Sequence, residues 1–299
     1  MIETEVPKKN KASFEKLVKL IRQRSYKKAT EYTYLKYNLD FLIFADKPAE
    51  KVVTKDIERY IDQLRKKRVS ASTIQINISS LKIFFEEVMN MNIFEEFKRP
   101  AREYKTPKAL LPKEIYSLLG SANGNPRSNT ICALAYFGAL RVGEIVNLKW
   151  DQIDFGKKIL EVKSSVPKQA RTILLEGELL KILKKYEKET GGEKKGKYLF
   201  PGKYPDKPLT SRNMERLVGD LSTQAGLKNQ VTLFTLRHSR AIHLLAEGKH
   251  IENVKDFLGH QSLASTESYL PIRKNLRTSV RRKHIEDALK DIRKKYKLN

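Results

Sequence analysis

The first hundred residues carry four amphipathic helical patterns. In each, apolar side chains recur three and four residues apart, which places them on one face of a helix. In chain order the stripes are Phe14, Leu17, Val18 and Ile21; Tyr32, Leu35, Leu39 and Leu42; Ile57, Tyr60, Ile61 and Leu64; and Ile74, Ile78, Leu81, Phe85 and Val88. Thr54 precedes the third stripe and is predicted to be its N-cap. Residues 1–98 are therefore predicted to form an all-α bundle.

A polar linker is predicted after this bundle. Residues 98–108 read KRPAREYKTPK, with two prolines, five basic residues and no apolar periodicity. Such a composition is typical of a segment that joins two domains. We predict a linker over residues 99–109 and a second domain over residues 110–299.

The second domain combines helices with a few short strands. The apolar run over residues 131–140 predicts a buried helix, in which Cys132 is a small core residue. The spacing of the apolar positions then changes from that of a helix to that of strands. Residues 152–155, 159–162 and 171–175 are predicted strands of one antiparallel sheet. Helical patterns return from Leu179 onwards. The predicted fold class is mostly α with a small antiparallel β-sheet.

Composition narrows the choice of partner. The 299 residues include 60 Lys and Arg against 35 Asp and Glu, a formal net charge of +25. A polyanion is the expected partner, and ribosome-associated, membrane-surface and nucleic-acid-binding proteins all share such a charge. The longest apolar run has about ten residues, whereas a membrane span needs about 20, and the N-terminus lacks the apolar core of a secretory signal. We expect a cytoplasmic protein with no membrane partner and, with one cysteine, no intrachain disulfide.

Two other binding chemistries are disfavoured by residue spacing. Gly191, Gly196 and Lys197 match the start of a phosphate-binding loop, but Tyr198 stands where Ser or Thr would hold magnesium. A Lys/Glu-rich segment also precedes this loop, where an apolar strand is required. The five histidines and one cysteine lack metal-ligand spacing. No metal and no nucleotide cofactor are expected.

Three short segments carry the candidate chemistry. They are ALRVGEI around Arg141, LRHS around Arg237, and FLGHQSLASTESY, which ends at Tyr269. Together they resemble the tyrosine recombinases, a family with Xer-like and phage-integrase members. The resemblance covers nearly the whole chain. It implies an N-terminal helical core-binding domain of SAM-like fold that clamps double-stranded DNA, followed by a C-terminal tyrosine-recombinase catalytic domain.

The resemblance implies a role for each matching residue. Arg141 and Arg237 would bind the scissile phosphate, and His260 would donate a third hydrogen bond to it. Guanidinium groups suit this task because their paired donors stay protonated. Tyr269 would be the nucleophile and form a 3′-phosphotyrosine. The strand would then be rejoined without ATP or any other cofactor.

Two supporting roles follow from the same resemblance. The family supplies the proton for the leaving 5′-oxygen from a lysine in the hairpin that joins the second and third strands. Lys163 is the first candidate for this general acid, and Lys168 is the alternative. Glu144 matches the acidic residue that buttresses the site, and an ordinary helix-terminal glutamate is the alternative interpretation.

One position departs from the family pattern. The second family box reads H-x-L-R-H, yet Phe234 occupies its first position here. Phenylalanine cannot move a proton, and general acid–base help is typically worth about 10² to 10⁴ in rate. No histidine precedes His238 in the chain, so the remaining proton acceptors are His238, Lys163, Lys168 and water. His238 itself matches a position that is usually structural.

The resemblance also predicts partners. Thr30, Thr73 and Lys82, on predicted helices, are candidates for DNA contact. Residues 271–299 hold eleven Lys and Arg, three acids and one narrow apolar face. In relatives a helix after the tyrosine docks on the neighbouring protomer, while docking within the same chain is the alternative. A homodimer on one site and a tetramer during strand exchange are implied.

Two alternative functions stay open at this stage. The chain is either a recombinase or a DNA-binding relative that lost efficient cleavage through Phe234. The latter predicts salt-sensitive DNA binding without a covalent adduct. A second alternative is relaxation of DNA by a type IB topoisomerase-like activity, which would need no particular site and no tetramer.

Overall fold

The computed structural model describes residues 5–98, 109–122, 124–163, 170–192 and 197–271. The chain divides into two compact units, residues 1–105 and 106–299. The predicted linker spans this division, but its residues 99–108 lie outside the described ranges. The domain boundaries drawn from the sequence therefore stay a prediction.

The N-terminal unit is an all-α bundle, as predicted. Its helices are α1 (Lys11–Gln23), α2 (Lys28–Ala45), α3 (Thr54–Lys66) and α4 (Ala71–Lys82), and α4 continues into a π-helical turn, Ile83–Val88. Every predicted stripe supplies buried side chains, and Leu17, Leu39 and Ile78 are fully buried. These stripes pack into one continuous apolar core.

Two details of the predicted bundle are wrong. Tyr32 is 59% exposed, and the first buried residue of α2 is Leu35. Thr54 is the first helical residue, and Val53 is the N-cap. The carboxylate of Asp56 accepts the backbone N–H of Val53 at 3.0 Å and satisfies this helix end. The hydroxyl of Thr54 instead donates to the carbonyl of Ile93 at 2.8 Å.

The C-terminal unit is also mostly helical. Its helices are α5 (Pro112–Ser121), α6 (Pro126–Tyr136), α7 (Val142–Val146), α8 (Gly177–Thr190), α9 (Ser211–Gln224), α10 (Leu233–Ala246), α11 (Ile251–Leu258) and α12 (Ala264–Glu267). Cys132 is fully buried in α6, as predicted. The helix predicted over residues 131–140 is too long, because the chain reverses after Tyr136 in a turn where Ala139 has φ of +47°.

The predicted small sheet is confirmed. Its strands are β1 (Ile153–Asp154), β2 (Ile159–Val162) and β3 (Arg171–Leu174), in the order β1-β2-β3 with both pairs antiparallel. β1 and β3 are shorter than predicted. Leu160 lies opposite Ile173, and Val162 lies opposite Arg171 at the open end of the second hairpin. The buried side chains of β2 and β3 join the main core of this unit.

Candidate active site

Arg141 is fixed at the start of α7. It is the N-cap residue, and its backbone N–H donates to Oε2 of Glu144 at 2.7 Å. Its guanidinium donates from Nη1 to Oε1 of the same carboxylate at 2.8 Å and from Nη2 to the carbonyl of Gly259 at 2.6 Å. The RVGE segment thus positions the arginine through the carboxylate in the first turn of its own helix.

Arg237 lies one turn into α10, whose first turn is capped by the hydroxyl of Thr232. The side chain is 6% exposed. Its Nη1 donates to the carbonyl of Ala139, and its Nη2 donates to the carbonyl of Leu258 at 2.6 Å. Burial, and then the charge of Arg141, lower the pKa of Arg237 to about 9. The group is still a cation at neutral pH.

The end of α11 connects the two arginines. Gly259 terminates this helix with φ of +63°, a conformation that favours glycine. The carbonyl of Gly259 accepts from Arg141, and the carbonyl of Leu258 accepts from Arg237. His260 follows directly, and its Nδ1 is hydrogen-bonded to Oγ1 of Thr266 at 2.9 Å. Burial, together with the two nearby guanidinium charges, lowers the pKa of His260 to about 4. This imidazole is therefore neutral at pH 7.

Tyr269 lies two residues after the end of α12 and is 3% exposed. Its ring centroid is 5.0 Å from that of His238 and 6.4 Å from that of His260. Burial raises the pKa of Tyr269 to about 12, although the charges of Arg237 and Arg141 oppose this shift. The phenol is protonated at neutral pH and must lose its proton to act as a nucleophile.

Phe234 and His238 lie on one face of α10. Phe234 is 64% exposed, and its ring centroid is 3.7 Å from that of His238 in an edge-to-face arrangement. His238 is buried, and neither ring nitrogen has a hydrogen-bond partner among the residues that the structure describes. Burial, and then the charge of Arg237, lower the pKa of His238 to about 4. A neutral imidazole therefore packs against Tyr269.

Arg171 belongs to the same cluster but was not predicted as a site residue. It donates from Nη1 to Oε1 of Glu144 at 3.0 Å and from Nη2 to Oε2 at 3.1 Å. Burial by itself would raise the pKa of Glu144, but the hydrogen bonds and charges of Arg171 and Arg141 outweigh it, and the pKa is lowered. In the sequence, Arg171 is visible only as the start of a predicted strand beside the lysine hairpin.

The lysine candidates lie at that hairpin. Lys163 directly follows β2 and is exposed, whereas Lys168 lies outside the described residues. A cavity of about 510 Å³ lies beside the hairpin, and its lining includes Ala170, Arg171 and His260. The structure therefore brings Arg141, Arg237, His260 and Tyr269 into one cluster and places the base of the lysine hairpin next to it.

Other sequence predictions lie elsewhere. Thr30 is in the first turn of α2, Thr73 is bonded to the N-cap Ser70 of α4, and Lys82 forms an ion pair with Glu86 at 3.2 Å. Their contact with DNA stays a prediction. The predicted docking tail lies outside the described residues apart from Pro271.

Metal and nucleotide binding have no further support. Gly191 ends α8 with φ of +77°, the role of a helix C-cap, while Gly196 lies outside the described residues. Within the described ranges, no three His, Cys, Asp or Glu side chains are grouped to hold a metal ion. None of the described helices is long and apolar enough to cross a membrane.

Comparison with known families agrees with this arrangement. Residues 108–275 match the phage integrase family, and residues 14–94 match the N-terminal SAM-like domain of phage integrases. The chain therefore belongs to the phage integrase family and is a site-specific DNA recombinase of the tyrosine type.

Individual relatives give the same assignment. The chain is 31% identical over 245 residues to a tyrosine recombinase of Pseudothermotoga lettingae, covering 80% of this chain and 84% of that protein. It is 30% identical over 237 residues to tyrosine recombinase XerA of Pyrococcus furiosus, covering 79% of each. A crystal structure of a lambda integrase dimer bound to a COC′ core site shares the fold, with a TM-score of 0.72 at 20% identity over 86% of this chain and 76% of that one.

Proposed function

We propose that this recombinase cuts and rejoins DNA through a covalent 3′-phosphotyrosine formed on Tyr269. The observation that supports this proposal is the convergence of two arginines and a histidine beside a buried tyrosine. Arg141 and Gly259 are 118 residues apart in the sequence and are joined by a 2.6 Å hydrogen bond. The LGH segment and the two arginine motifs therefore form one site around the end of α11.

The charge of the cluster suits a phosphodiester. Arg141, Arg171 and Arg237 carry three positive charges, and Glu144 is the acidic side chain that all three approach within 4.0 Å. Three charges minus one leaves a charge of +2 in the described part of the site. In the transition state of attack the phosphate gains negative charge, so preorganised cations stabilise it more than the ground state.

The chemistry follows from these positions. The Oη atom of Tyr269 attacks phosphorus, the bond from phosphorus to the 5′-oxygen breaks, and the ammonium of Lys163 protonates that oxygen, with Lys168 as the alternative donor. When Nδ1 of His260 accepts from the hydroxyl of Thr266, Nε2 carries the ring proton and donates a hydrogen bond to the phosphate. Rejoining is the reverse reaction, and no cofactor enters either step.

The proton of Tyr269 has no acceptor at the usual family position, because Phe234 occupies it. His238 is the leading candidate, since its ring packs against Tyr269 and it is neutral at pH 7. Lys163, Lys168 and water are the other candidate acceptors. We expect this step to limit the rate of cleavage.

We further propose that the two units clamp double-stranded DNA, with a homodimer on each site and a tetramer during exchange. Lambda integrase provides the precedent, because its solved structures include a dimer on a core site and a tetramer on a Holliday junction. Residues 271–299 would contact the neighbouring protomer, and Thr30, Thr73 and Lys82 would contact DNA. The high positive charge of the chain supports this assignment.

A suicide-substrate assay tests the covalent mechanism. A binding site is first selected from random duplexes, and a nicked duplex carrying that site is incubated with wild type, Tyr269→Phe or Phe234→His. We expect a denaturation-resistant adduct with wild type and none with Tyr269→Phe. An adduct that persists in Tyr269→Phe would contradict the proposal.

The second candidate function is DNA binding without efficient cleavage, and it is favoured by Phe234. It predicts selected-site binding, no wild-type adduct and an adduct gained with Phe234→His. Plasmids that lack the selected site provide the remaining comparison. Their relaxation by the monomer would favour the topoisomerase-like alternative over recombination.

A further inference from the structure

Arg171 occupies the base of the hairpin that carries the lysine candidates. It is the first residue of β3 and pairs with Val162, the last residue of β2. Lys163 directly follows Val162, so the chain leaves the sheet towards the lysine at the point where Arg171 is fixed. Any displacement of Arg171 therefore displaces the start of the lysine segment.

The side chain of Arg171 is held on Glu144, which belongs to α7. Both terminal nitrogens bond the two carboxylate oxygens in a parallel fork, at 3.0 and 3.1 Å. The side chains of Arg171 and Glu144 are only 8% and 10% exposed. The same carboxylate binds the backbone and the guanidinium of Arg141. One buried carboxylate thus joins the hairpin to a phosphate-binding arginine.

We propose that Arg171 is a positioning residue, which holds the hairpin base so that its lysine reaches the leaving 5′-oxygen. This inference rests on the proposed function, because it assumes that a hairpin lysine is the general acid. Both terminal nitrogens of Arg171 bond the carboxylate of Glu144, and its Nη2 also donates to the carbonyl of Ala139 at 3.5 Å. The planar fork matches the carboxylate at two points, which a lysine ammonium cannot do.

The proposed role makes a specific chemical prediction. With oxygen as the leaving atom, cleavage needs a proton from the general acid. When the 5′-bridging oxygen of the substrate is replaced by sulfur, the phosphorus–sulfur bond breaks and the thiolate leaves without protonation. Loss of the general acid, or of its positioning, therefore lowers the cleavage rate of the oxygen substrate and leaves that of the sulfur substrate nearly unchanged.

The experiment measures single-turnover cleavage of matched oxygen and sulfur suicide substrates. We expect Arg171→Lys and Arg171→Met to cut the oxygen substrate about 10- to 100-fold more slowly, with less than about a threefold loss on sulfur. This loss is smaller than the full worth of acid catalysis, about 10² to 10⁴, because the lysine is displaced and not removed. Lys163→Ala and Lys168→Ala give the reference pattern for loss of the acid itself. Arg141→Lys should slow both substrates, because it acts on the phosphate.

The ratio of the two rates guards against a folding artefact. Both substrates are cut by one preparation of each variant, so a reduced folded fraction lowers the two signals equally. Arg216→Met is the matched control, since Arg216 is 68% exposed and its ion-pair partner Asp220 lies on the same helix, α9. It should leave both rates unchanged.

Three results would overturn the inference. Equal losses on both substrates would mean that Arg171 acts on the phosphate or on the fold, and no loss would mean that the ion pair is dispensable. If the sulfur substrate restores cleavage in neither Lys163→Ala nor Lys168→Ala, neither lysine is the general acid, and Arg171 has no acid to position. By contrast, a wild type that cuts neither substrate would contradict the proposed function itself.

Discussion

Two sides of one site differ in how their side chains are held. On the phosphate side, Arg141 and Arg171 share the carboxylate of Glu144, and Arg237 is bonded to two backbone carbonyls. On the tyrosine side, the rings of Phe234, His238 and Tyr269 pack against one another. Within the described residues, the nitrogens of His238 have no hydrogen-bond partner.

This difference separates binding from proton transfer. The charges that we propose to bind the phosphate are held by hydrogen bonds before the substrate arrives, which is the condition for strong transition-state stabilisation. The leading candidate for the acceptor of the Tyr269 proton, His238, has no such hydrogen bond among the described residues. Apart from the nucleophile Tyr269 itself, we therefore expect mutations on the phosphate side to lower activity most and mutations of Phe234 or His238 to change it less.

After the complete loss expected for Tyr269→Phe, the largest effect is expected for Arg237→Lys. A lysine cannot replace both bonds to the carbonyls of Ala139 and Leu258, and the phosphate loses a donor. Removal of one such donor typically lowers the rate by about 10² to 10³. Single-turnover cleavage of the suicide substrate measures the loss. A reduction of less than about threefold would break the contrast between the two sides, since one donor is normally worth far more.

Glu144→Gln should destabilise the catalytic unit by about 3 kcal/mol at pH 7, because breaking a buried ion pair leaves charges uncompensated. The pKa of Glu144 lies below its reference value of 4.5, so its contribution to stability is present above pH 4.5. This contribution is lost as the pH falls through the lower pKa of the folded state. Chemical denaturation across pH should show wild type and variant converging in acid. A gap that widens in acid would contradict this assignment.

Phe234→His should increase the cleavage rate by about tenfold or more at neutral pH, since acid–base help is worth about 10² to 10⁴. The new imidazole would lie on the face of α10 that already carries His238. His238→Phe, measured beside it, tests whether His238 serves as the acceptor now. An unchanged rate in Phe234→His would mean that deprotonation of Tyr269 does not limit cleavage.

Thr266→Val is expected to have the smallest effect. It removes the 2.9 Å hydrogen bond to Nδ1 of His260 and keeps the side-chain shape. A bond worth about 0.5 to 1.5 kcal/mol corresponds to a two- to tenfold slower cleavage. Ser262→Ala, on the exposed segment before α12, serves as a control for the loss of a hydroxyl. A loss as large as that of Arg237→Lys would show that histidine positioning matters as much as the arginine charge.

Much of the fold could be predicted from periodicity. The four stripes and the three strands occur where their spacing places them, because burial of one face dictates the period. Local details differ from the prediction. Asp56 takes the capping role expected of Thr54. The helix predicted over the apolar run of residues 131–140 ends early, before the turn at Ala139.

The site residues were predicted in a similarly uneven way. The resemblance of three motifs to the tyrosine recombinases located Arg141, Arg237, His260 and Tyr269, and the structure brings these residues together. The role of Arg171 depends on an ion pair with a residue 27 positions away. Neither spacing nor composition reveals such a pair, because it exists only once the sheet packs beside α7.

The central claim is that Tyr269 becomes covalently joined to DNA. The most direct measurement is mass spectrometry of the proteolysed adduct from the nicked suicide substrate. We predict one modified peptide, with a 3′-phosphonucleotide on Tyr269. Modification of another tyrosine, such as the 56% exposed Tyr204, or of a serine, would contradict the account.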